Sequence, residues 1–218
     1  SDHYLELGPL LHTAWTAGLK THVDIYGPPG LDMYWKGFCS SVKADIDLRI
    51  EDEGRPDMRE LITIHAIDAG LVLSRDGVTV SAIRNQHPPL VDTFALSFKT
   101  DEVHVVFSGD TAPIKALENF ARGADLLIHE AMLESALPAL LERVGNGSDK
   151  LMAHLLKSHT FAHEAAMTAA NAGAKRLALT HLIPSDDPAY DEKDWQEACA
   201  GHYNGELIVG HDAIRIEL

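Results

Sequence analysis

The sequence predicts an α/β sandwich in which helices pack outside β-sheets. Three observations lead to this prediction: the first part of the chain is helix-rich, the middle carries short β-rich runs, and the last part alternates strand and helix. No internal repeat, low-complexity tract or linker interrupts the 218 residues. We therefore expect one domain over residues 1–218.

The first part of the chain predicts two helices and a strand. Residues 5–17 are apolar on one helical face, and residues 31–42 predict a second helix. Between them, THVDIYGPPG predicts a short alternating strand that stops at a Gly-Pro-Pro-Gly turn. Residues 45–60 alternate polar and apolar side chains and break at Gly54 and Pro56.

The middle of the chain predicts a β meander. The segments LITIHAID, LVLSRDG and VTVSAIRNQH are β-rich, with a turn at Asp76 and Gly77. FALSFKTDEVHVVFSGD predicts a hairpin whose second strand ends just before Asp110.

The last part of the chain alternates strands and helices. ADLLIHEA and RLALTHLIP predict short strands, and GELIVGHDAIRIEL predicts a terminal strand or hairpin. A polar loop is expected at 145–149. Helices are predicted at 114–121, 134–143, 161–173 and 191–202, the third closed by a glycine.

Composition limits the function classes. The 18 Lys and Arg against 33 Asp and Glu give a net charge of −15, which disfavours a polyanionic partner. The two cysteines have no CxxC spacing and indicate neither a disulfide framework nor a thiolate zinc site. No apolar run approaches the roughly 20 residues of a membrane span. We expect a cytoplasmic protein with no membrane partner, and leave a homodimer open.

Metal-capable side chains follow four apolar runs. These runs end at His87, at Asp110, at His129 with Glu130, and at His181. Functional groups in α/β folds concentrate just past the carboxyl ends of strands. Imidazole and carboxylate are ligands that suit zinc, manganese or iron. Because a carboxylate can bridge two cations, Asp110 is the bridging candidate.

Four segments carry a family resemblance. VVFSGDTA, DLLIHEA, SHTFAHEAA and LALTHLIP, in this order, resemble the metallo-β-lactamase-fold hydrolases, and within them the ribonuclease Z and arylsulfatase-like branch. The opening SDH resembles the tail of the family motif His-x-His-x-Asp-His, and YLELGPLLHTAW resembles the helix after it. The resemblance implies a metallo-β-lactamase-like αββα sandwich that lacks its N-terminal strands, which we expect upstream of Ser1.

The resemblance also implies two divalent metal ions, with zinc expected and manganese or iron open. Asp2 and His3 resemble ligands of the second metal, and His181 resembles the last histidine of that site. His87 resembles the third histidine of the first site, and Asp110 resembles the bridging aspartate. The second site would be complete in this chain, whereas the first would keep only His87 and Asp110.

Three residues have roles beside the metals in this interpretation. Asp2 would orient the attacking water, and His159 resembles the histidine that assists phosphodiester cleavage in the ribonuclease Z branch. Glu130 would orient a ligating histidine. The alternatives are a surface carboxylate at Glu130 and, for His159, a place beside a helix N-cap supplied by Ser158 or Thr160.

The expected function is a metal-dependent hydrolase that cleaves a phosphodiester, sulfate ester or other small ester with a metal-activated water. Enzymes of the ribonuclease Z branch carry a basic arm between the positions matching His87 and Asp110, where this chain has only a short hairpin. We therefore expect a small-molecule ester substrate and disfavour nucleic acid. The alternatives are a tRNA 3′-processing endoribonuclease (ribonuclease Z) and a non-catalytic binding domain. Because we expect its N-terminal part to be missing, we also expect the activity of this chain to be impaired or absent.

The other histidines share no motif and are expected to be structural or surface groups. They are His12, His22, His65, His104, His154, His163, His202 and His211.

Overall fold

The computed structural model describes residues 3–144 and 148–218. The chain divides into two compact units, one up to Ile67 and one from Asp68 onward. The expectation of a single domain over 1–218 stays a prediction, because compactness alone does not decide whether two units fold as one.

The first unit consists of helices and a two-stranded parallel sheet. Its core contains Trp15, Trp35 and Ile46, all buried. Its strands pair from Val23 opposite Ile62 onward. The elements are α1 (Leu7–Thr16), β1 (Val23–Gly27), α2 (Leu31–Ser41), α3 (Lys43–Glu53), α4 (Met58–Leu61) and β2 (Ile62–Ala66).

The alternating segment at 45–60 lies largely in helix α3. Ile46 is fully buried, whereas Leu48 is 63% exposed, so the side chains follow helical rather than strand periodicity. Gly54 ends this helix in a left-handed conformation, with φ of 65°.

The second unit is built on a mixed sheet of seven described strands in the order β3-β4-β5-β6-β7-β8-β9. The pairs from β3 to β6 are antiparallel and those from β6 to β9 are parallel. The strands are β3 (Gly70–Arg75), β4 (Val78–Arg84), β5 (Phe94–Lys99), β6 (His104–Phe107), β7 (Leu126–Met132), β8 (Arg176–Ile183) and β9 (Glu206–Val209). The helices are α5 (Lys115–Phe120), α6 (Leu137–Val144), α7 (Ser148–Ser158), α8 (Ala162–Ala172) and α9 (Glu192–Cys199).

Helix α8 forms much of the core of this unit. Its alanines recur at helical spacing, and Ala162, Ala165 and Ala169 are almost fully buried in the same cluster as Leu127 and Leu179. Small side chains allow the helix backbone to lie close to the strands, so the residues at the end of β7 and the start of α8 are held together.

The structure extends or decides two of the predicted elements. Helix α7 begins at Ser148 inside the expected polar loop, and residues 145–147 lie outside the described residues. Strand β9 pairs in parallel with β8, which decides the open choice at the C-terminus in favour of a strand. Within the described ranges, no helix is long and apolar enough to cross a membrane.

The buried ring of His129 on β7 predicts that the fold is sensitive to acid. Its ring is fully buried, its Nδ1 donates to the Glu130 carbonyl at 2.7 Å, and its Nε2 has no partner among the described residues. Burial lowers the pKa of His129 from 6.5 to about 4. Because the unfolded chain binds this proton first, the stability contributed by neutral His129 is complete above pH 6.5 and is lost as the pH falls towards 4.

We expect His129→Leu to remove this acid sensitivity. Between pH 7 and pH 4.5, the wild type should lose about 2.5 kcal/mol more unfolding free energy than the variant, measured by urea denaturation. Leu127→Ala on the same strand is the control, since its destabilisation should be equal at both pH values. Equal pH dependence of His129→Leu and wild type would contradict the prediction.

Candidate active site

Four strands deliver polar residues to one edge of the second unit's sheet. Strands β6, β7 and β8 are parallel, and β4 runs in the same direction because two antiparallel pairings separate it from β6. Their carboxyl ends therefore share an edge. His87 follows β4 and Asp110 follows β6. Glu130 and His181 lie near the carboxyl ends of β7 and β8.

The turn that carries Asp110 requires glycine. Gly109 has φ of 59°, and a Cβ atom there would lie 2.6 Å from the Phe94 carbonyl oxygen and 3.0 Å from Asn85 Nδ2. Asn85 Nδ2 also donates to the Ser108 carbonyl at 2.8 Å. The backbone before Asp110 is thus fixed by close approach of β4 and β5, which fixes the position of the carboxylate.

We expect Gly109→Ala to be far more harmful than Gly123→Ala. Gly123 has a similar φ of 66° but open space around its missing Cβ, so its substitution reports backbone strain alone, about 1 kcal/mol. Gly109→Ala should lower the free energy of unfolding by roughly 1–3 kcal/mol more, because the backbone at Phe94 must move to make room for the new methyl group. Equal loss of unfolding free energy in the two variants would contradict this account of the turn.

Asp110, His181 and His87 lie together. Asp110 Oδ2 is 3.3 Å from His181 Nε2 and 4.0 Å from His87 Nε2. His181 has φ of 45°, a conformation that is strained for a residue other than glycine, and it lies where the β7–β8 register shifts. Backbone strain of this kind is often found at functional sites.

This donor set fits a divalent cation. Two ligands about 2.1 Å from a tetrahedral ion lie about 3.4 Å apart, close to the Asp110–His181 separation. Burial, followed by repulsion from His159, lowers the pKa of His87 and favours the neutral imidazole that metals bind. His87 Nδ1 is buried and lacks a hydrogen-bond partner among the described residues, which is unusual for a purely structural histidine.

A buried pair of Glu130 and His159 lies beside these residues. His159 Nδ1 is 3.0 Å from Glu130 Oε2, and the side chains are 6% and 1% exposed. Burial raises the pKa of Glu130 to about 8. The His159 ring stacks on that of His181, with centroids 5.6 Å apart.

These contacts decide the alternatives for Glu130 and His159. Glu130 is buried, so it is not a surface carboxylate, and the histidine that it holds is His159. Ser158 Oγ donates to the Pro88 carbonyl and Thr160 Oγ1 to the Thr111 carbonyl, so neither contact caps α8. The roles of both residues in catalysis stay predictions.

Thr111 connects the four segments of the site, and sequence reasoning missed it. Its backbone N–H donates to Glu130 Oε1 at 2.5 Å, and its carbonyl accepts the Thr160 hydroxyl at 2.5 Å. Its Oγ1 accepts from the Gln86 backbone at 3.0 Å. Thr111 is fully buried and thus ties together the neighbours of His87, Asp110 and His159. Only its place directly after Asp110 could have indicated this role.

His154 was also missed, because α7 was not predicted. Its ring lies 5.4 Å from that of His87 and 5.8 Å from that of His159. Two further predicted site residues cannot be placed at this edge. Asp2 lies outside the described residues, and His3 belongs to the first unit, so their assignment as metal ligands stays a prediction.

The family model described as "Beta-lactamase superfamily domain" matches residues 1–182. The chain belongs to the beta-lactamase superfamily. Among curated relatives, the ribonuclease Z of Mycobacterium bovis BCG Pasteur is 31% identical over all of this chain and 76% of its own length. The predicted enzyme class, a metal-dependent hydrolase acting on ester bonds, is confirmed by this membership.

Solved structures of the superfamily share the fold. The metallo-β-lactamase fold protein YhfI of Bacillus subtilis has a TM-score of 0.63 at 21% identity, over 96% of this chain and 70% of its own. Human tRNase Z, short form, has a TM-score of 0.61 at 21% identity, over 99% of this chain and 74% of its own. The predicted α/β metallo-β-lactamase fold is confirmed.

The prediction of a small-molecule ester substrate, with nucleic acid disfavoured, is wrong. The 31% identical relative is named ribonuclease Z, and the predicted substrate conflicts with that finding. The physical reason is that a net charge of −15 sums over the whole surface, whereas phosphate binding depends on the groups at the site. Histidines and a carboxylate that could bind a metal lie together at the site. The absence of a basic arm therefore does not exclude RNA as a substrate.

Proposed function

We propose that this protein is a metal-dependent endoribonuclease of the ribonuclease Z type, which hydrolyses a phosphodiester bond in a tRNA precursor. The observation that carries the proposal is the buried Glu130–His159 pair, held against His181 at the edge where Asp110 lies. An oriented imidazole beside a metal-capable carboxylate can supply the proton transfer and the metal ligand that metal-assisted phosphodiester hydrolysis uses. The name of the 31% identical relative supports the same activity.

Asp110 and His181, with His87, would hold the metal ions, joined in this proposal by Asp2 and His3. We propose two divalent ions, zinc being the best match to imidazole and carboxylate donors, with manganese or iron as alternatives. When bound, such ions lower the pKa of a water molecule and stabilise charge on the phosphate oxygens.

His159 would supply the proton for the leaving oxygen. Glu130 Oε2 is hydrogen-bonded to His159 Nδ1 at 3.0 Å, which would fix the orientation of the ring. The other ring nitrogen would then transfer the proton to the leaving group as the phosphodiester bond breaks. Thr111 would hold the Glu130 side chain in place by donating its backbone N–H to the carboxyl group.

The test compares two substrates with the full-length, metal-loaded protein. We expect cleavage of a 3′-extended tRNA precursor at one position, with kcat/KM well above that for bis-p-nitrophenyl phosphate. The cleaved ends should be mapped by sequencing gel, and Asp110→Asn should abolish the cut and so exclude a contaminating nuclease. Hydrolysis of the small diester alone, with the precursor left intact, would overturn the proposal.

A further inference from the structure

His154 lies within reach of the same reaction centre, although it belongs to no predicted motif. One ring nitrogen each of His87, His154 and His159 lies within 4.8 Å of the other two. An atom placed at the centre of such a triangle lies at most about 2.8 Å from each nitrogen, within hydrogen-bond distance of an oxygen. A substrate oxygen bound there would therefore lie within hydrogen-bond distance of one ring nitrogen of His154.

The hydrogen bonds of Ser158 fix the tautomer of His154. The Ser158 hydroxyl is fully buried and donates its one proton to the Pro88 carbonyl at 2.9 Å. The 3.3 Å contact between Ser158 Oγ and His154 Nδ1 must therefore be donated by Nδ1–H. In the neutral ring, Nε2 is then a hydrogen-bond acceptor.

An acceptor in a phosphodiester site can take a hydrogen bond from water or from a donor on the substrate. The oxygens of the phosphodiester itself only accept hydrogen bonds. The hydroxyl donor nearest to the phosphate in RNA is the ribose 2′-hydroxyl, which DNA lacks. The chemistry of His154 thus matches the sugar of a ribonucleotide rather than the phosphate.

We propose that His154 is a specificity-determining residue that accepts a hydrogen bond from the 2′-hydroxyl of the nucleotide at the cleaved bond. This inference rests on the proposed ribonuclease function and deepens it, because it names the group by which RNA is distinguished from DNA. Ser158 is the positioning residue that keeps Nε2 available for this contact.

The test uses tRNA precursors that differ by one 2′-deoxy substitution on either side of the cleaved bond. The wild type should cleave the all-ribose precursor about five- to tenfold faster than one of the two deoxy precursors. In His154→Ala and His154→Phe this ratio should fall to about 1, the second variant keeping a ring packed against His87 and His159. His163→Ala, on the neighbouring helix, should keep the wild-type ratio.

The outcomes separate the inference from the proposed function. A ratio that persists in both His154 variants would overturn the inference, since a 2′-hydroxyl acting elsewhere in the reaction keeps its effect without His154. A wild-type ratio of 1 would overturn it while leaving the ribonuclease function intact. A precursor left uncut by wild type would overturn the ribonuclease function itself. Loss of bound metal in His154→Phe would also overturn the inference, because His154 would then be a ligand.

Discussion

Replacing Asp110 by Asn should lower kcat/KM for phosphodiester hydrolysis by at least about a thousandfold, equivalent to about 4 kcal/mol of transition-state stabilisation. The Asp110 carboxylate lies 3.3 Å from His181 Nε2 and 4.0 Å from His87 Nε2. The amide is nearly the same size but lacks the negative charge that Asp110 would supply to a bound cation in the proposed site. Steady-state hydrolysis of bis-p-nitrophenyl phosphate and of the tRNA precursor measures the effect.

Asp125→Asn is the matched control for this prediction. Asp125 is a partly buried aspartate just before β7, and it accepts hydrogen bonds from the His104 backbone and Lys175. Because it lies at the opposite end of the strand from Glu130, the substitution should leave kcat/KM within about twofold of wild type. Wild-type turnover by the Asp110→Asn variant would show that Asp110 has no role in the reaction and would contradict the proposed site.

Replacing His159 by Ala should lower kcat by roughly 10²- to 10⁴-fold while leaving bound metal unchanged. His159 is buried, hydrogen-bonded to Glu130 and stacked on His181, so its ring is held in one orientation. A proton donor for the leaving oxygen acts in the transition state, so kcat should fall more than KM rises. For substrates with a better leaving group, such as a p-nitrophenyl ester, kcat should fall less.

His163→Ala is the control for His159→Ala, because His163 lies in the first turn of α8, four residues further along the chain, and its ring stacks on that of Phe161. It should retain wild-type kcat. If His159→Ala loses metal together with activity, His159 is a ligand rather than a proton donor. If leaving-group dependence is the same in wild type and variant, the role in proton transfer is wrong.

The placement of the site could be predicted from the sequence because strand ends are local features. Apolar runs before His87, Asp110 and His181 predicted β4, β6 and β8, and these strands run in the same direction, which brings their carboxyl ends to one edge. The family resemblance, which identified the superfamily, rested on the same segments. The apolar runs alone were therefore enough to predict that His87, Asp110 and His181 lie at the same edge of the sheet.

The contributions of Thr111 and His154 could not be predicted in this way. Thr111 acts through hydrogen bonds to residues as distant in the chain as Glu130 and Thr160, which no local pattern reveals. His154 lies on helix α7, whose mixed polar sequence after the 145–149 region gave no element. The error over nucleic acid has a similar origin, because net charge averages over a surface that the substrate contacts only in one place.

The measurement that tests the central claim most directly is the metal content of the full-length protein together with its activity during metal removal and return. Bound divalent ions should be counted by mass spectrometry in wild type, Asp110→Asn and Asp125→Asn. We predict that wild type and Asp125→Asn bind the same number of ions, that Asp110→Asn binds fewer, and that RNA cleavage falls and recovers with metal content. Full cleavage by metal-free protein, or equal metal content in Asp110→Asn and wild type, would contradict a metal-dependent hydrolase built on Asp110.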